Sequence, residues 1–194
     1  MDKKYWVLVI VLVLVVGGYA GYYAYAMTTL VPKDLKTFKN DLKAAEEPII
    51  TPSQIKEMEE AKSMLEGVDL KVIPAEERKK GAEEYFKNPE LLKKLQELKY
   101  NCSRNREDVA FRYDVLLMGD VAKDIREVYS KDIEEKTEKL YTISNKMGDD
   151  LEKGDTEAFK ADIDEVIRLF KELEDWRVKI AKPGLQRIVE RLGG

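Results

Sequence analysis

Histidine is absent from the chain. That removes the commonest general base near neutral pH, the usual zinc ligand and every Ser–His or Cys–His nucleophile pair. Any active site would have to run on carboxylates, lysine or tyrosine, so the expectation is a protein that is not an enzyme. The one cysteine, Cys102, rules out an internal disulfide and leaves either an inert helical residue or an intermolecular bridge. It also stands far from the first apolar stretch, so a lipoprotein attachment site is missing. There is no Gly-rich phosphate loop, paired-Cys metal site, nucleophile elbow or internal repeat. A basic excess is lacking too: 34 Lys and Arg meet 38 Asp and Glu, a net charge of −4. That interleaved balance suits long solvent-exposed helices and argues against a nucleic-acid partner. Nothing in the chain calls for a cofactor.

The most informative absence is local: residues 5–26 carry no charge. As a helix this stretch rises about 33 Å, enough to cross the hydrocarbon core of a bilayer. Its first half is almost pure Val, Leu and Ile, and its second half sets Tyr19, Tyr22, Tyr23 and Tyr25 among Ala and Gly. Tyrosine suits the boundary between apolar core and headgroups, so these four form a candidate membrane-interface belt. Gly17 and Gly21 make one GxxxG spacing, a candidate helix–helix contact in the membrane. A cleaved signal peptide ending at Ala26 is the rival reading, but the distance from Val16 to Ala26 is long for a cleavage region. The chain therefore divides into a short tail (1–4), a transmembrane helix (5–26), a juxtamembrane linker (27–32) and a helical domain (33–194).

Orientation is contested. Lys3 and Lys4 flank one side; Lys33, Lys36, Lys39 and Lys43 flank the other. Because the first pair abuts the apolar run directly and residues 27–32 are uncharged, the reading favours a domain outside the cytoplasm of a single-pass cell-membrane protein. A cytoplasmic domain tethering a complex is the alternative.

The remainder reads as all-α. Leu35, Phe38 and Leu42 share a helical face after Pro32. Thr51, Pro52 and Gln54 form a capping box before the stripe Ile55, Met58, Leu65. Residues 68–74 read as an extended connector, residues 75–87 as a marginal helix with Tyr85 and Phe86, and Asn88-Pro89 as a fresh helix start. A turn is expected near residues 103–105. From 107 to about 151 the apolar residues keep a helical period without proline, predicting one long helix; Gly154 and Asp155 break it, and residues 156–181 return. This hairpin, 107–181, ends at Lys182-Pro183-Gly184 and is followed by a short helix, 185–192. The expected fold is an N-terminal transmembrane helix followed by an elongated antiparallel helical bundle.

Candidate sites are sparse. Arg104, Arg106, Arg112 and Tyr113, with Asp114, make the densest polar-aromatic run and the first choice for a partner or ligand surface. The carboxylates at 149–157 lack calcium-loop spacing, and no metal site is expected. Lys179, Lys182, Arg187 and Arg191 make the C-terminal end basic beside an apolar stripe, suited to an anionic membrane or to a helix folded back on the bundle. The expected partners are the bilayer and either a protein or a second copy of the chain. The leading expectation for function is a binding or scaffolding module. A small-molecule or ion sensor with a site between helices is the rival, with Asp120, Asp132 and Arg177 as the polar groups beside otherwise apolar stripes.

Overall fold

The apolar N-terminal segment and the first helix of the domain form one rod in the computed structural model, which describes residues 3–83 and 89–194. Helix α1 (Lys3–Tyr25) passes through a π-helical turn (Ala26–Leu30) into α2 (Val31–Ala44). The expected linker at 27–32 is therefore helical. The reason lies at Pro32, whose missing N–H and bulky ring would break an ordinary α-helix. The N–H of Val31 reaches five residues back to the Ala26 carbonyl, so the ladder widens just before the proline, which then occupies the first turn of α2.

The chain repeats this device. Helix α9 (Thr156–Trp176) runs through a π-helical turn (Arg177–Ala181) into α10 (Lys182–Arg191), and Lys182 N–H bonds to the Arg177 carbonyl immediately before Pro183. The expected stop at Lys182-Pro183-Gly184 is thus a continuation. Gly184 faces Val128 so closely that a β-carbon would overlap its methyl group, and the glycine lets α10 lie against α7.

Between these rods lie α3 (Pro52–Met64), a 3-10 turn (Leu70–Val72), α4 (Ala75–Gly81), α5 (Pro89–Arg104), α6 (Ala110–Val115), α7 (Gly119–Val128) and α8 (Lys131–Lys153). No strand occurs among the described residues, and the class is all-α. Tyr85, Phe86 and the cap at Asn88 lie outside the described residues. Thr51 caps α3 as expected, its Oγ1 accepting from Gln54 N–H at 3.2 Å while Gln54 Oε1 accepts from Thr51 N–H at 2.9 Å. The connector at 68–74 is partly coiled into the 3-10 turn instead of extended, because Leu70 is buried and its N–H bonds Thr156 Oγ1 at 2.8 Å at the hairpin end.

The expected turn near 103–105 is absent. Helix α5 continues through a third π-helical turn (Asn105–Val109) into α6. The expected single helix from 107 to 151 is instead broken twice. Leu117 takes a left-handed backbone, φ +59°, and closes α6 with Met118 N–H on Tyr113 O and Leu117 N–H on Asp114 O. The chain turns again at Tyr129-Ser130, where the Trp176 indole N–H takes the Val128 carbonyl at 3.0 Å. The hairpin that remains is α8 with α9, turned at Gly154 (φ +73°) and capped by Asp155. Helix α5 packs along α8, α3 along α9, and α10 sits between α2 and α7. Phe38, Val109, Tyr113, Ile125, Leu140, Leu169, Leu173 and Ile188 form the dry centre.

Helix α1 stays outside this core. From Ile10 to Val16 its side chains are between 52 and 68% exposed, although the helix is long and apolar enough to cross a membrane.

Candidate functional site

Two places hold buried polar chemistry, and the second of them opens to the outside. The first is the junction where α6 meets the α1–α2 rod. Asp34 is held in α2 almost fully buried, and Arg112 of α6 forms an ion pair with it. Beside them Tyr113 is fully buried and its hydroxyl makes no hydrogen bond. Burial first, then the Asp34 charge, pushes that phenol well above its ordinary range. Further down the rod, Tyr19 Oη donates to the backbone carbonyl of Val115 at 3.0 Å.

These contacts redistribute the expected partner surface. Arg112 is committed to Asp34, and Tyr113 is core. Arg106 pairs with Glu134 at 2.7 Å and with Glu107 at 3.0 Å, and Arg104 closes α5. The run that looks contiguous in sequence therefore splits among separate contacts, since successive helical residues point in different directions. Tyr22, Tyr23 and Tyr25 remain exposed on α1, and Tyr19 and Tyr23 rings lie 6.3 Å apart. Gly17 and Gly21 have open space where a β-carbon would sit, leaving that face free for another helix.

The second place is a cavity of about 260 Å³ between the end of α2, α5, the end of α7 and the α9–α10 rod. Its walls are mainly apolar, with Leu98, Val128 and Trp176 among them. Its polar groups are few and mutually engaged. Tyr129 Oη donates to Asp41 Oδ2 at 2.5 Å, while Arg177 binds Glu174 and also donates to the Ala45 carbonyl at 2.5 Å. Glu174 further accepts from Ile49 N–H at 3.0 Å. Desolvation raises the Asp41 pKa against the opposing pull of the Tyr129 hydrogen bond and the Arg104 charge. Cys102 is fully buried, and burial followed by the Glu134 charge pushes its thiol up to about 12. It is thus a neutral packing residue at physiological pH. Such a cavity can take a small apolar molecule with one hydrogen-bonding end.

Of the three polar residues expected to turn inward, only Arg177 does so. Asp120 and Asp132 are largely exposed, facing Arg191 and Lys136. Asp41, Tyr129 and Trp176 were not singled out by sequence, because they are 47 or more residues apart and individually ordinary. At the C-terminal end three of the four basic groups are taken up by the fold: Arg187 pairs with Asp124 and Glu127, Arg191 with Asp124, and Lys179 with Asp175, while Lys182 is exposed. At the hairpin tip Asp155 serves as a cap and Asp150 faces Lys146, and no metal-holding group of acids, histidines or cysteines occurs among the described residues.

The chain matches no protein-family model, no curated protein and no solved structure.

Proposed function

We propose that the protein is a single-pass membrane protein whose helical domain, held outside the cytoplasm, acts as a non-enzymatic binding or scaffolding module. The observation that carries this reading is the rod itself. An uncovered apolar helix runs without a linker into α2, which is buried in the domain core from its first turn through Asp34 and Phe38. A helix meant for the interior of a water-soluble protein would bury such a surface; leaving it bare fits a lipid environment. The rigid join favours a domain presented at a set height above the bilayer to a protein partner or a second copy. Gly17 and Gly21 offer an open face for the latter. Trypsin digestion of sealed cells beside inverted vesicles tests the topology: cleavage near Arg187 in sealed cells, with the apolar segment retained, is expected. Cleavage only in inverted vesicles would make the domain a cytoplasmic tether.

The cavity beside Trp176 favours a second reading, a sensor for a small, mostly apolar molecule. Trp6 and Trp176 are the two tryptophans. In a Trp6→Phe variant the indole emission reports Trp176 alone, and a ligand entering the cavity should shift it. A flat response across an apolar metabolite panel would count against this reading.

A further inference from the structure

We infer that the corner between α6 and α7, residues 116–118, is a second membrane contact that enters the bilayer interface beside α1. This rests on the reading of α1 as a membrane span. The corner is tied to the apolar helix by the Tyr19–Val115 hydrogen bond at 3.0 Å. Tyr19 lies six residues before Tyr25, about 9 Å further into the span along the helix axis. A domain resting above the membrane would leave the Tyr19 hydroxyl to headgroups and water. Here a backbone carbonyl of the domain receives it, so the corner sits at the depth of the tyrosine belt.

The corner has the chemistry for that depth. Leu117 is 84% exposed, more than any other large apolar residue among the described residues. Its φ of +59° is a conformation for which glycine or asparagine is favoured. A leucine there combines backbone strain with bare apolar surface, which a water-facing turn has no reason to keep and an interfacial one does. Phe111, 64% exposed, lies one helical turn before Val115 on the same face of α6. Of the nearby carboxylates, Asp114 is paired with Arg126 and Asp120 lies 3.6 Å from Arg191, while Asp108 is exposed three residues before Phe111. The occupant of this surface is therefore the headgroup–acyl boundary of the same membrane that α1 crosses.

Nitroxide labels on the full chain in vesicles of phosphatidylcholine and phosphatidylglycerol test this. The labels are placed through Val13→Cys in the span, Leu117→Cys at the corner and Val72→Cys in the 3-10 turn. Cys102 is buried and stays unlabelled, which wild-type protein verifies. Relaxation by oxygen, enriched in lipid, is compared with relaxation by a water-soluble nickel complex. The oxygen preference at 117 should be several-fold above that at 72 and on the side of that at 13. Lipid-like behaviour at 13 with water-like behaviour at 117 overturns the corner contact and leaves the span intact. Water-like behaviour at both removes the span and the corner together. Spin–spin broadening at 117 that vanishes on dilution with unlabelled chain, without oxygen preference, assigns the corner to a second copy and also overturns the inference.

Discussion

Helices α1 and α9 are nearly equal in length, 23 and 21 residues, and both are rich in large apolar side chains, yet they end in opposite environments. The difference is the second face. In α9, Phe159, Ile163, Val166, Leu169, Phe170 and Leu173 are buried. Glu165, Arg168 and Glu172 lie on the remaining surface and form ion pairs within the helix and with α8. Helix α1 has no such polar side after Lys4, and its glycines open towards empty space. Apolar content makes a helix want cover; a charged stripe tells it which way to turn. Without that stripe α1 has no polar face to set against water, and from Ile10 to Val16 its apolar surface stays uncovered.

Truncation should separate the two most strongly. Leu173→Ala is expected to cost about 2–5 kcal/mol of domain stability, because Leu173 is fully buried and its cavity cannot collapse freely. Leu12→Ala should leave the domain's thermal unfolding unmoved. A charge reverses the order of sensitivity: Val13→Arg should cost about 2.5–3.5 kcal/mol of membrane insertion and shift protein to the soluble fraction on carbonate extraction. Lys171→Glu on exposed α9 surface should leave that fractionation unchanged.

The two proline junctions sharpen the contrast further. The one before Pro32 is preceded by a helix with room around it, α1, whereas α10 is pressed on Val128 at Gly184. Gly184→Val should therefore destabilise by about 1–3 kcal/mol through overpacking, read as a lower denaturant midpoint with an unchanged slope. Ala20→Val in α1 should not alter either quantity.

The smallest effect is electrostatic and belongs to α9 and its partner α8, with no counterpart in α1. Hydrogen bonds from Arg168 and then Lys139 hold the Glu165 carboxyl down to about 2, below its ordinary value of 4.5. A carboxylate depressed in the folded state stabilises above its unfolded pKa, and that contribution fades as pH falls from about 4.5 towards 2. Because the pair is near the surface, Glu165→Gln should flatten this acid limb only slightly, with salt reducing the difference.

Local chemistry was legible wherever a residue acts on its own neighbours. The Thr51 capping box, the Gly154 turn with its Asp155 cap and the apolar stripe of α9 are all short-range patterns, and the structure forms them where they were expected. The breaks at Leu117 and Tyr129 were not legible. The first shows only Gly119, which opens α7 two residues on, and the second has no glycine or proline and is secured by Trp176, 48 residues from Val128. The continuations through Pro32 and Pro183 misled for the converse reason: proline announces a stop, but a widened turn before it lets the helix proceed. The site was less legible than the fold. Arg104, Arg106, Arg112 and Tyr113 are adjacent in the chain but diverge on the helix, while Asp41, Tyr129 and Arg177 converge on one cavity across three distant segments.

By itself the sequence determined that this is an all-α chain with one uncharged apolar helix at its start, because period, caps and the absence of charge act over a few residues. The tertiary structure decided that this helix and α2 are one rod, that Tyr113 is core, and that Leu117 stands exposed two residues beyond the Val115 carbonyl that Tyr19 bonds. Those outcomes depend on which surfaces meet between segments distant in sequence, where burial of Phe38, Val109 and Tyr113 and the pairing of Asp34 with Arg112 outweigh any preference a short stretch of chain can express.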